Sequence, residues 1–234
     1  KEIYREACNM GVKEEKIING KVMNIPLFDF RRYIQLIENR ITILSDDCWG
    51  GHIYHYLYMQ FYSPLINIKW REGEFVKFIQ DPNYYLSQPL EMERDGNIRE
   101  NVYPIASLGK AGKKVMLELI HSAKFSDAEK LWNRIRERIN YNNFFVKLSF
   151  DATDVKSESY LQVFAKLPYK KICFYSGENA GGGVCYLKRF EKYVYSGPRI
   201  SLNYSTYPLS MAWLSKSIDI LKLLNGEEDY LREI

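Results

Sequence analysis

The chain has 234 residues, is 46% hydrophobic and 26% charged, and carries a formal net charge of +4. That is the make-up of an ordinary globular protein with ample core, in one large domain or two small ones. The charge is modest and spread along the chain, which speaks against duplex nucleic acid as a partner and leaves room for a small anionic ligand. Four cysteines (Cys8, Cys48, Cys173, Cys185) lie far apart with no C-x-x-C pair, so neither a zinc site by spacing nor a disulfide framework is indicated. No apolar stretch approaches the roughly 18 residues of a membrane span, and no signal peptide is visible. The expected setting is reduced and cytoplasmic. Aromatics reach 15%, with 19 tyrosines, most of them expected in the core with one polar end.

In chain order, Ile3, Ala7 and Met10 keep helical spacing up to Gly11, directly from the first residue, Lys1. This reads as the cut end of a nucleotide-binding-like unit, residues 1–30, ahead of a main α/β domain over 31–234. Apolar pairs at 17–18 and 22–23 flank an Asn19-Gly20 turn. Asp29 is placed to cap a helix over 30–39 with Phe30, Tyr33, Ile34 and Ile37 on its apolar face. A strand over 41–45, a helix ended by Ser63-Pro64 and a strand over 65–70 make one expected βαβ unit with a parallel crossover. Phe75, Phe78 and Ile79 suggest a short helix closed by Asp81-Pro82, and 87–102 reads as a polar excursion with an Asp95-Gly96 turn. A strand over 114–120 delivers His121 to its end. Ser126 and Glu129 read as a capping box for a helix over 127–139. A second βαβ unit spans 143–176, with strands over 144–150 and 171–175 around a helix at 157–167. Loop 177–184 is glycine-rich but lacks the Lys and Ser/Thr of a phosphate-binding loop, since Gly183 and Val184 stand there. A strand over 200–204 and a helix begun by Pro208, with Met211, Leu214, Ile218 and Leu221 on one face and Gly226 beyond it, complete the chain. The expected fold is α/β, a mostly parallel sheet with helices on both faces, built from Rossmann-like βαβ units.

Reactive residue types crowd around the end of the 41–45 strand. Ser45, Asp46 and Asp47 offer acceptors, Cys48 a thiol, and His52 and His55 two imidazoles about one helical turn apart. Gly50 and Gly51 permit close approach of a ligand or of another backbone. The first N–H groups of a helix starting here point above the strand end, and the helix dipole favours a thiolate there. A bland reading stands beside this one: Asp46 or Asp47 caps the helix and Trp49 fills core. Elsewhere, Arg134 and Arg138, four apart on one helix, suit a phosphate or carboxylate, or Arg134 pairs with Glu137 and Arg138 stays in solvent. Asp151 and Asp154 follow another strand end.

The run Ser45 to Gly51, then Ser63-Pro64 and Asn67, Tyr103-Pro104, His121, Trp132 through Asn140, and Asn143 to Val146 resembles a bacterial family of exopolysaccharide or capsule biosynthesis proteins of unknown function. The resemblance covers roughly residues 40–175. That pattern commonly carries Asn where this chain has Asp46 and Asp47. The resemblance implies a pathway and no particular reaction.

Ligands of open α/β sheets bind outside the carboxyl ends of strands, so the corner, His121 and Asp151 are expected to meet in one crevice. The first expectation is a transferase acting on an activated sugar or glycan intermediate. In it, His52, His55 or His121 is the base, with Asp47 beside them, and Cys48 is the nucleophile of a covalent variant. Ser45, Asp46, the amides at Gly50 and Gly51, Arg134, Arg138 and Asp151 hold the ligand, and Trp49 stacks on a ring. The second is a non-catalytic module that binds a nucleotide-sugar or glycan and scaffolds other polysaccharide-biosynthesis proteins. A metal hydrolase on Asp46 and the histidines is a third, without an H-E-x-x-H motif to support it. The sequence names no cofactor.

Overall fold

A computed structural model describes residues 13–18, 21–26, 29–71, 73–97, 100, 102–151, 157–176 and 219–230. The expected helix before Gly11, Asp154, loop 177–184, the strand over 200–204 and the 208–218 part of the last helix lie outside the described residues.

Strands β1 (Lys13–Ile18) and β2 (Lys21–Pro26) pair antiparallel with Ile18 opposite Lys21; the expected Asn19-Gly20 turn between them lies outside the described residues. Helix α1 (Phe30–Glu38) starts at Asp29, whose carboxylate accepts from the Arg31 and Arg32 amides. Its buried side chains are Tyr33 and Leu36, while Phe30 and Ile34 are about half exposed, so the apolar face is turned from the expected one.

Strand β3 (Thr42–Ser45) is followed by α2 (Trp49–Tyr56), a 3-10 helix (Pro64–Asn67) and β4 (Lys69–Trp70). The expected βαβ unit over 41–70 does not form. Ser63 caps the 3-10 helix by accepting from the Leu65 amide, and Pro64 presets its first turn, so the segment coils where a strand was expected. Only Lys69 and Trp70 of this segment pair as a strand, and they do so antiparallel with another sheet.

That sheet holds four antiparallel strands in the order β4, β7 (Lys113–Glu118), β6 (Ile105–Lys110), β5 (Glu91–Arg94). Helices α3 (Glu74–Gln80) and α4 (Pro82–Ser87) come between β4 and β5 in the chain, joined at Asp81, which ends one and caps the other. Helix α5 (Phe125–Arg136) begins two residues earlier than expected. Ser126 lies inside it, so the expected capping box is absent; Asp95, from the distant loop, accepts from the Phe125 amide at 2.7 Å instead.

The second βαβ unit is as expected: β8 (Phe144–Asp151), α6 (Ser157–Ala165) and β9 (Lys170–Ser176), with β8 and β9 parallel. Strand β3 joins β8 in parallel, giving a three-stranded sheet in the order β3-β8-β9. The fold is therefore α/β with a three-stranded parallel sheet, a four-stranded antiparallel sheet and the antiparallel β1–β2 pair, not a single mostly parallel sheet. Helix α7 (Ile220–Asn225) opens at a non-helical Asp219 cap, so the last helix does not run unbroken from Pro208 to Leu221. Among the described residues no helix is long and apolar enough to cross a membrane.

Alternation along the parallel sheet builds two cores. Ile43, Phe145 and Ile172 face a cluster with Tyr33, Leu36, Ile53, Tyr54 and Leu221. Leu44, Val146 and Cys173 face the opposite cluster, with Leu117, Phe78, Trp132 and Phe164. Both faces are covered, as parallel sheets require.

Among the described strands β3 stands at the edge of its sheet, which leaves the Ile43 amide and Ile41 carbonyl facing away from β8. The Tyr54 hydroxyl takes the place of a neighbouring strand: it accepts from Ile43 N at 2.8 Å and donates to Ile41 O at 2.7 Å. Burial raises the pKa of this phenol, keeping it a donor. Tyr54→Phe orphans two buried backbone groups and is expected to cost about 1–3 kcal/mol in urea unfolding. A change below ~0.5 kcal/mol would show that the edge does not depend on this hydroxyl.

Candidate functional site

The corner after β3 is built on one buried cation. Lys147 stands opposite Ser45 in the β3–β8 register, on the face that carries Ile43 and Phe145, and is 0% exposed. Its ammonium donates to Asp46 Oδ1 at 2.9 Å, Asp47 Oδ2 at 2.7 Å and Ser149 Oγ at 2.9 Å. Asp46 Oδ2 in turn accepts from the Ser149 amide and hydroxyl, each at 2.9 Å. Burial alone would lower the Lys147 pKa; attraction to the two carboxylates outweighs it, and the net shift is upward. Burial raises the Asp46 carboxyl, with Asp47 adding repulsion and Lys147 opposing both.

The start of α2 is tied to the same corner. Asp47 Oδ1 accepts from the Trp49 amide at 2.9 Å, and Ser45 Oγ accepts from the Gly50 amide at 3.1 Å while donating to Asp47 O at 2.7 Å. A Cβ on Gly50 would meet Ser45 Oγ at 2.9 Å, and one on Gly51 would meet Ile66 O at 3.2 Å. The glycine pair admits neighbouring parts of the chain, not a ligand.

His121 arrives from the antiparallel sheet. Beyond β7 the Leu119 amide donates to Pro104 O at 2.9 Å and the Ser122 amide to Leu119 O at 3.0 Å, closing a turn that leaves His121 exposed. Its Nε2 lies 3.7 Å from Cys48 Sγ, and Cys48 is only 5% exposed. His52 is half-buried beside them, and its pKa is lowered by burial first and then by His55 and His121, against an opposing pull from Asp47. The chain's three histidines thus share one neighbourhood with Cys48 and Asp47.

The expected site residues divide cleanly. His121, Cys48 and His52 come together as expected, with exposed His55 at the rim. Asp47 is no open base, because Lys147 and the Trp49 amide occupy its two oxygens. Ser45 and Asp46 are likewise engaged within the corner. Trp49 is 1% exposed and stacks on Phe145 with centroids 6.1 Å apart, so it cannot stack on a sugar ring. The Gly50 amide is satisfied, as is that of His52, which donates to Cys48 O, so the helix start is not an open anion cradle. Arg134 is exposed and Arg138 half-buried, and no hydrogen bond or ion pair joins either to the corner among the described residues; Arg136, between them, donates to Gln88 O. Asp151 ends β8, and its side chain lies outside the described atoms. No three His, Cys, Asp or Glu side chains among the described residues are grouped to hold a metal ion.

Sequence reasoning passed over Lys147 and Ser149. The signal was there: one lysine inside the apolar run Phe144 to Phe150, which must be paired if buried.

The arrangement defines an α/β protein with a thiol–imidazole pair between a corner of the three-stranded parallel sheet and a turn beyond the four-stranded antiparallel one. Over residues 19–215 the chain matches the model of a family described as a domain of unknown function (DUF1919), and it belongs to that family. An uncharacterized protein of Haemophilus influenzae (strain ATCC 51907 / DSM 11121 / KW20 / Rd) is 28% identical over 160 residues, spanning 68% of this chain and 73% of that protein.

Lys147→Met strands two carboxylates and is expected to cost about 3–5 kcal/mol in denaturant unfolding. Adding Asp46→Asn and Asp47→Asn to it should recover part of that loss; no recovery would mean the three charges are not one network. His52 supplies a pH signature. Its pKa is lower folded than unfolded, so the unfolded chain binds more protons, and stability falls as pH drops below about 6.5 towards the folded value. His52→Gln should flatten that acid limb in thermal melts, and an unchanged limb would contradict the buried placement.

Proposed function

We propose that the chain is a transferase acting on an activated sugar or glycan intermediate of cell-surface polysaccharide assembly, on the cytoplasmic side, alongside other proteins of that pathway. The pathway is supported by the sequence resemblance. The chemistry is supported by one observation, the 3.7 Å separation of Cys48 Sγ and His121 Nε2.

A thiol beside an imidazole is a nucleophile with its own base, and the same imidazole can take the proton of an acceptor hydroxyl. His121 fills that role because it is both exposed and next to the thiol. As the hydroxyl oxygen bonds to the activated carbon, the bond to the leaving group breaks and the proton passes to His121. His52, biased towards the neutral imidazole, offers a second ring where charge develops. The carboxylates of the corner stay with Lys147 and brace the loop that carries Cys48.

The test begins with a thermal-shift screen of nucleotide-sugars and glycan acceptors, since a ligand that binds only the native state raises its stability. Turnover of a hit should fall by roughly 10²–10⁴-fold in His121→Ala, with the melting shift retained. Binding without turnover across a broad acceptor panel would replace this reading with a non-catalytic sugar-binding module.

A further inference from the structure

We propose that the group this site transfers is an acyl group, carried as a thioester on Cys48 between an acyl-thioester donor and a glycan hydroxyl. The inference rests on the transferase reading and specifies its chemistry. Three kinds of electrophile suit a cysteine nucleophile, and the surroundings of Cys48 choose among them.

A phosphoryl group needs a cradle of amides around its oxygens. Here the Trp49 amide is held by Asp47 and the Gly50 amide by Ser45. The Asp46 and Asp47 carboxyl groups that border this loop take the donors of Lys147 and Ser149, so the corner has none of these left for a phosphate. A glycosyl group would be trapped, because sulfur is a poor leaving group from an anomeric carbon when only an imidazolium is at hand to protonate it. An acyl carbonyl is uncharged, is attacked readily by a thiolate, and exchanges between thiols with little change in free energy. Cys48 is 5% exposed and lies 3.7 Å from Nε2 of exposed His121, so an electrophile reaches the sulfur alongside the imidazole, an approach that suits a flat, uncharged carbonyl.

The steps balance without an oxidant or reductant. His121 Nε2 takes the Cys48 proton, and the sulfur bonds to the carbonyl carbon of the donor thioester. The donor's C–S bond then breaks, and its departing thiolate takes the proton from His121. A glycan hydroxyl enters, gives its proton to His121, and forms a C–O bond to the same carbon. The C–S bond to Cys48 breaks, and the imidazolium returns the proton to the thiolate. The acyl group has moved from a thiol to a hydroxyl, and the protein is unchanged.

Two probes test this on the full chain: 4-nitrophenyl acetate, an activated ester with little donor specificity, and acetyl-coenzyme A. Peptide mass spectrometry should find one acetyl group on Cys48, removed by neutral hydroxylamine. Its formation should slow by about 10²-fold or more in His121→Ala. Absence of acetyl-Cys48 with both probes, or equal labelling in a folded His121→Ala variant, overturns the inference. Full turnover of a nucleotide-sugar by Cys48→Ala also overturns it while leaving the transferase standing. No turnover and no acylation together remove both.

Discussion

A single buried ammonium holds the centre of this molecule in shape. Lys147 lies in the middle of a strand, between Val146 and Leu148, with no exposed surface, and taking a charge out of water there costs several kcal/mol unless it is paired. Asp46 and Asp47 supply the pairing, and Ser149 shares it. Because these partners follow directly after β3, the lysine fixes the path of the chain where it turns into α2. Cys48 is the next residue, so its position is a consequence of the ion cluster.

The site lies between the two sheets and belongs to neither alone. Cys48 comes from the corner of the parallel sheet, and His121 from a turn beyond the antiparallel hairpin of β6 and β7. Residues far from the chemistry set this meeting. Pro104 accepts from the Leu119 amide and shapes the His121 turn. Gly96 packs so closely on that turn that a Cβ would come within 2.3 Å of Ala123 O. Asn140 and Asn143 each donate to Asn39 O, aligning the starts of β3 and β8. Several motif residues that look functional in sequence are thus responsible for geometry.

Local signals were legible where a short segment settles its own structure. The Asp29 cap and the unit over 143–176 could be read directly, because capping and apolar runs act within a few residues. The corner was legible as a concentration of polar types; its meeting with His121 was expected from the ends of parallel strands, whereas His121 follows a strand of the antiparallel sheet. Partner choice was not. Whether Leu65 to Trp70 would join β3 depended on Ser63 and Pro64 coiling the chain first, and on β8 offering β3 a better edge. Asp47 looked like a base because its partner lies 100 residues later, at a position that periodicity marks only as one more residue of a strand. Trp49 looked like a stacking platform for the same reason: Phe145, which covers it, is equally remote in sequence. Asp95 displaced the local capping box at α5 from a loop thirty residues upstream.

The most direct test of the account is the alkylation rate of Cys48 by iodoacetamide at neutral pH, resolved from the other cysteines by peptide mass spectrometry. If His121 activates this thiol across the seam between the sheets, His121→Ala should slow alkylation by roughly an order of magnitude while the protein stays folded. Equal rates in the two proteins would show that the thiol and the imidazole are neighbours without being a working pair.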